Sequence, residues 1–184
     1  MSHILWIAFA KSREFSSREK RYLYEKLGGI EKIFKARESR GLLSEKLQKK
    51  LELFRKKPDL EFANQELKKL TTLSAWVISV EDEGYPGSLK TLYDYPILLF
   101  GRGQALPNFR QSLAVVGTRN PSPYGKRVTK LLVSEFARAG LSIVSGLARG
   151  IDTAAHYACI DNKGKTIAVL GNGLGSIYPR ENKN

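Results

Sequence analysis

The stretch that decides the fold runs from Ser112 to Asn184, and its key segments read SLAVVGTRN (112–120), SIVSGLARGID (142–152) and TIAVLGNG (166–173). Three apolar runs, Ala114-Val115-Val116, Ile143-Val144 and Ala168-Val169-Leu170, each give way to glycine and then to polar or basic residues. Short apolar runs bounded in this way read as buried strands of a parallel sheet, with Gly117, Gly146 and Gly171 at their ends. Ligands of such a sheet sit just outside the carboxyl ends of its strands, so residues 117–119, 145–150 and 171–173 are expected to converge on one crevice. Arg119, Arg149 and the amides of the glycine loops would face an anion there.

Between the runs the period changes to that of a helix. Val128, Leu131, Leu132, Phe136 and Ala139 form one stripe of a helix expected over 125–139, which Gly140 stops. A second helix is expected over 152–160, with Asp152 as its cap, and Asn162-Lys163-Gly164 turns the chain into the third strand. The unit is βαβαβ with right-handed crossovers, which predicts an α/β, Rossmann-like parallel sheet.

Upstream the pattern is different. From Arg18 to about Phe54, apolar residues recur at three- and four-residue steps between charges, which predicts three or four short helices broken at Gly28-Gly29 and Gly41 and closed by Pro58. Residues 59–73 add a further helical pattern. Ala75 to Val80 and Pro96 to Phe100 read as strands, separated by the turn Glu81 to Pro86. Two domains are expected, a small helical one over 1–70 and the Rossmann-like one over 71–184. The run Ile4 to Ala10 is too short to span a membrane and has no basic segment before it, so a cytoplasmic protein is expected.

The formal charge is +13, carried unevenly: residues 1–84 hold 18 Lys and Arg against 13 Asp and Glu, and residues 85–184 hold 13 against 5. The excess lies with the glycine loops and predicts salt-sensitive affinity for a polyanion. Tyr124 beside Lys126, Arg127 and Lys130 is the mixture of ring and charge that stacks bases and follows a phosphate backbone. With two histidines and one cysteine, Cys159, the chain offers no metal set, and no GxxxxGK[ST] loop is present. Gly171-Asn172-Gly173-Leu174-Gly175 follows the third strand of the unit rather than the first, which makes it a poor dinucleotide fingerprint. No cofactor and no metal are expected. His156, four residues after Asp152, reads as a packed residue before it reads as a catalytic one.

The segments AVVGTRNPSPYGKRV (114–128), IVSGLARGIDTAAH (143–156) and GKTIAVLGNGLGSIYPREN (164–182) resemble, in order, motifs of the DNA-processing protein A (DprA/Smf) family. The segment EDEGYPGSLKTLYDYPILLFGRG (81–103) is similar to that family's entry into its Rossmann-like domain, and the helical N-terminus resembles its small sterile-alpha-motif-like domain. The resemblance implies a bacterial, non-enzymatic protein that binds and protects single-stranded DNA during natural transformation and helps load the RecA recombinase on it. Carried over motif by motif, Gly117, Thr118 and Arg119, then Ser145, Gly146, Arg149 and Gly150, then Gly171, Tyr178, Pro179 and Asn182 would form the DNA pocket, with Tyr124 and Lys126 nearby. The family's domain continues past the YPREN motif, so the resemblance implies that residues 71–184 are its first part, with the surfaces for homodimerisation and RecA outside them. Two alternatives stay open on the residues alone: a nucleotide hydrolase using Asp152 or Glu181, and a non-functional remnant.

Overall fold

A computed structural model of the chain describes residues 2–35, 41–104 and 111–183. Its contacts gather the chain into two compact units, Met1–Gln104 and Ala105–Asn184. The first unit is helical: α1 (Ser2–Lys11), α2 (Ser17–Leu27), α3 (Ile30–Lys35), α4 (Glu45–Lys56) and α5 (Leu60–Thr72) precede β1 (Ala75–Ser79) and β2 (Leu98–Arg102). The helical pattern over 18–54 is present, except that its portion at 36–40 lies outside the described residues. Local chemistry sets the helix ends. Ser16 and Glu19 form a reciprocal capping box before α2, and Gly28 ends it in the left-handed conformation at φ 69°.

The run Ile4 to Ala10, read in the sequence only as too short for a membrane, is the interior of α1. Trp6, Ile7 and Phe9 are fully buried there, as a helix apolar on every side must be. Rings of Phe15, Phe34 and Phe54 pack with Phe9 into an aromatic core at centroid distances of 5.2 to 5.8 Å.

Strands β1 and β2 pair antiparallel, with Val77 opposite Phe100, and they pack with α1 and α5. By contacts, residues 71–104 gather with the helices in the first unit. The tie is polar as well as apolar. Glu81 accepts from Trp6 Nε1 at 3.3 Å and from the amide of Ile30 at 3.1 Å, while the Tyr95 hydroxyl donates to Glu25 at 2.8 Å.

The second unit is α/β: β3 (Ser112–Ala114), α6 (Pro123–Arg138), β4 (Ser142–Ser145), α7 (Ile151–Asp161) and β5 (Thr166–Ala168). Its three strands are parallel in the order β3-β4-β5, with Leu113 beside Ile143 and Ile143 beside Thr166. This is the Rossmann-like βαβαβ unit. Stepping in one direction with crossovers of one hand places both helices on the same face, and α6 and α7 do pack on each other. Val133 and Ala137 of α6, Ile143 of β4, and Ala155, Ala158 and Cys159 of α7 form the core between them. Helix α6 starts two residues earlier than expected, because Ser122 caps it and Pro123 occupies its first position. No helix among the described residues is long and apolar enough to cross a membrane.

Candidate nucleic-acid interface

The carboxyl ends of β3 and β4 are held together by one buried carboxylate. Asp152 was expected to cap α7, but Gly150 stands at the cap position and Asp152 lies inside the first turn. Its Oδ1 accepts from the amide of Gly117 at 3.3 Å and its Oδ2 from the amide of Gly146 at 3.1 Å. The two strand-end amides that the sequence offers to an anion already have one, and it belongs to the protein. A Cβ at Gly146 would come 2.8 Å from Asp152 Oδ2, so glycine is required for that approach.

The adjoining loops are fitted to each other by similar close contacts. Gly150 has φ 86° and ψ −121°, and a Cβ there would overlap the carbonyl of Thr118 and the backbone of Arg119. The amide of Ile151 donates to Thr118 O at 3.2 Å, and a Cβ on Gly117 would meet Ile151 Cγ1 at 2.7 Å. Residues 117–119 and 146–151 thus form one rigid ledge. Ser145 lies beneath it rather than on it: its hydroxyl is buried and donates to Val115 O at 2.6 Å, which ties β4 to β3.

The segment after β5 returns to this ledge. Asn182 Nδ2 donates to Leu147 O at 3.0 Å and to Thr153 Oγ1 at 2.8 Å, and Arg149 Nε donates to Glu181 Oε1 at 2.6 Å. That hydrogen bond raises the pKa of Arg149 and lowers that of Glu181, although both are exposed. Tyr178 is exposed, and buried Pro179 anchors the chain next to it. Gly171 stands apart from this arrangement. A Cβ on Gly171, Gly173 or Gly175 would meet nothing within 4 Å, so no close packing demands glycine in that loop.

The side chain of Arg119 is exposed and forms no ion pair or hydrogen bond among the described residues, and the same holds for the side chains of Lys126, Arg127 and Lys130 on α6. Of the four carboxylates in this unit, Glu135 pairs with Arg138 at 2.6 Å, Glu181 pairs with Arg149, Asp152 is buried on its amides, and Asp161 stands at the far end of α7 from the ledge. The charge on Arg119 and the first turns of α6 is therefore left uncompensated beside the exposed ring of Tyr124. Both carboxylates suggested for a hydrolase are committed to structural partners. His156 is buried, with Nδ1 2.7 Å from Thr166 Oγ1, and burial lowers its pKa. No group of His, Cys, Asp and Glu among the described residues is arranged to hold a metal.

Residues 76–184 match the family model described as DNA recombination-mediator protein A. The DNA processing protein DprA of Bacillus subtilis is 47% identical over 106 residues, which are 57% of this chain and 36% of that protein. Among solved structures, DNA processing protein A from Streptococcus pneumoniae superposes with a TM-score of 0.70 at 31% identity, covering 98% of this chain and 62% of that one. The Helicobacter pylori protein of the same name, whose structure was described for its single-stranded DNA binding mode, gives a TM-score of 0.51 at 34% identity over 58% of this chain and 47% of that one. The chain spans between about a third and just under two thirds of the length of these proteins.

Proposed function

Because the chain belongs to the DNA recombination-mediator protein A family, we propose that it binds single-stranded DNA along the ledge at the carboxyl edge of its parallel sheet. One observation carries the reading: Arg119, Lys126, Arg127 and Lys130 lie uncompensated beside an exposed tyrosine while every carboxylate near the ledge is already engaged. In this reading phosphates lie on Arg119 and on the cations of α6, and bases stack on Tyr124 and Tyr178. The glycines of 117 and 146–150 act by letting the loops close together, and Asp152 holds them. Arg149 and Asn182 position the Tyr178 segment, so a phosphate contact from Arg149 requires exchange with Glu181.

The similarity to a Helicobacter pylori protein described for single-stranded DNA binding supports this assignment. We extend it to protection of the bound strand, its transfer to RecA recombinase during natural transformation, and a cytoplasmic setting. Homodimerisation is proposed with it. The test is fluorescence anisotropy of the 184-residue chain against labelled single-stranded and duplex oligonucleotides of equal length. Affinity that favours single strands, grows with oligonucleotide length and falls with salt is expected. Equal affinity for duplex, or turnover of AMP, would point away from it.

A further inference from the structure

A second group of cations lies in the first unit, far along the chain from the ledge residues. Lys11 at the end of α1, Lys20 and Arg21 of α2, and Tyr95 and Phe100 flanking and within β2 line a pocket of about 290 Å³, with Asp94 as the one carboxylate among its described lining residues. Lys20 has a structural task, since its Nζ donates to the carbonyls of Ala10 at 2.6 Å and Ser12 at 2.8 Å and so satisfies the C-terminal end of α1. Lys11 lies over the Phe100 ring, 5.1 Å from its centroid.

Arg21 has no such task. It is only 7% exposed, yet among the described residues its guanidinium donates no hydrogen bond and joins no ion pair. Its guanidinium lies over the rings of Tyr95 and Tyr93, at 5.8 and 6.0 Å from their centroids. A guanidinium stays charged and carries five donors, and those of Arg21 keep access to solvent in the pocket, where a ligand's acceptors can reach them. Beside it Tyr93 is 77% exposed, with the Arg18 guanidinium 5.9 Å from its ring centroid. The pocket offers three cations against one carboxylate, and next to its lining residue Asp94 the ring of Tyr93 stands exposed beside two arginines.

We propose that this pocket is a nucleotide site, in which Arg21 and Lys11 take a phosphate and Tyr93 stacks the attached base. The site is independent of the sheet-edge ledge and does not rest on that assignment. Its ligand is either a free mononucleotide or one nucleotide of a single strand, which share the same chemistry.

Two experiments on the full chain separate these sources. In the first, thymidine monophosphate is titrated while the NMR signals of Tyr93 and Tyr95 are followed. In the second, an oligothymidylate carrying 5-iododeoxyuridine is photocrosslinked to the chain and the adduct is mapped by mass spectrometry. Perturbed Tyr93 signals with no oligonucleotide adduct there would establish a mononucleotide site, and an adduct at Tyr93 would establish a strand contact. In the strand case, Tyr93→Ala is expected to weaken oligonucleotide binding by about tenfold, the scale of one lost stack, and to do so also in a chain carrying Arg119→Ala. Arg18→Ala and Arg21→Gln should each weaken whichever ligand binds, with Arg18→Ala reporting even where Arg21→Gln disturbs the fold. Adducts confined to residues 117–182, together with Tyr93 and Tyr95 signals that ignore the mononucleotide, would overturn the proposal.

Discussion

In the first unit an all-round apolar helix sinks Trp6, Ile7 and Phe9 completely, and four phenylalanine rings meet around it. In the second, six small or medium side chains form a core on one face of a three-stranded sheet, while Val116, Leu131 and Val169 are each more than 60% exposed. Volume holds the first unit. The second depends more on backbone fit: an aspartate bridging two strand ends, a serine tying two strands, and glycines where a Cβ would collide. That difference suits a unit whose task is to present loops at fixed positions, because hydrogen bonds and steric fit orient a loop where apolar burial does not.

The largest effect that sharpens this contrast is expected from Phe54→Ala, which removes the ring that Phe9, Phe15 and Phe34 share. A loss of about 3 to 5 kcal/mol is expected. Hydrogen exchange should show it as lost protection in α1, α2 and α4, with α6 and α7 keeping theirs. Equal loss in both units would remove the distinction.

Next comes Asp152→Asn, which replaces an acceptor by a donor opposite one of two glycine amides and is expected to cost about 1 to 3 kcal/mol. It should loosen residues 117–119 and 146–151 together, visible as joint broadening of their amide signals. Broadening of only one loop would mean that the carboxylate does not couple them.

Smaller and directional is the response to acid. Burial depresses the pKa of His156 below its ordinary 6.5, so its contribution to stability is complete above pH 6.5 and is lost as pH falls below that value. In the first unit Glu19, held by Lys50 at 2.7 Å, is lowered from 4.5 to about 2, so its contribution persists down to pH 4.5 and fades below it. Urea unfolding read from methyl signals of each unit should show the His156 loss between pH 7 and 5, and His156→Gln should abolish it. A pH response in the second unit that survives His156→Gln would show the cause to lie elsewhere.

Much of this was legible in the sequence, and the gaps have physical reasons. The βαβαβ order over 112–168 was legible because strand runs ended at glycine and the helices carried a 3.6-residue stripe. The strands came out shorter than their apolar runs, since Val116 and Val169 run past the last ladder pairs and find no layer to cover them. Helix α1 escaped because seven apolar residues in a row have no helical period to detect, and only packing reveals that all sides are buried. Ser122-Pro123 was a readable start signal for α6 that the apolar stripe overshadowed. Asp152 could be read as a cap, but that its carboxylate reaches across to a strand end 35 residues earlier is a matter of tertiary distance. The pairing of Arg149 with Glu181 escaped for the same reason, and it separates the two arginines that the sequence treats alike.

That separation provides the most direct test. Anisotropy of a labelled oligothymidylate is measured over a salt series for the native chain, Arg119→Ala and Arg149→Ala. Arg119→Ala is expected to weaken binding and flatten the dependence of log K on log salt by about 0.7, one phosphate contact on a single strand, while Arg149→Ala leaves the slope nearly unchanged. An unaltered slope in Arg119→Ala with a flattened one in Arg149→Ala would contradict the assignment of the phosphates to the uncompensated cations.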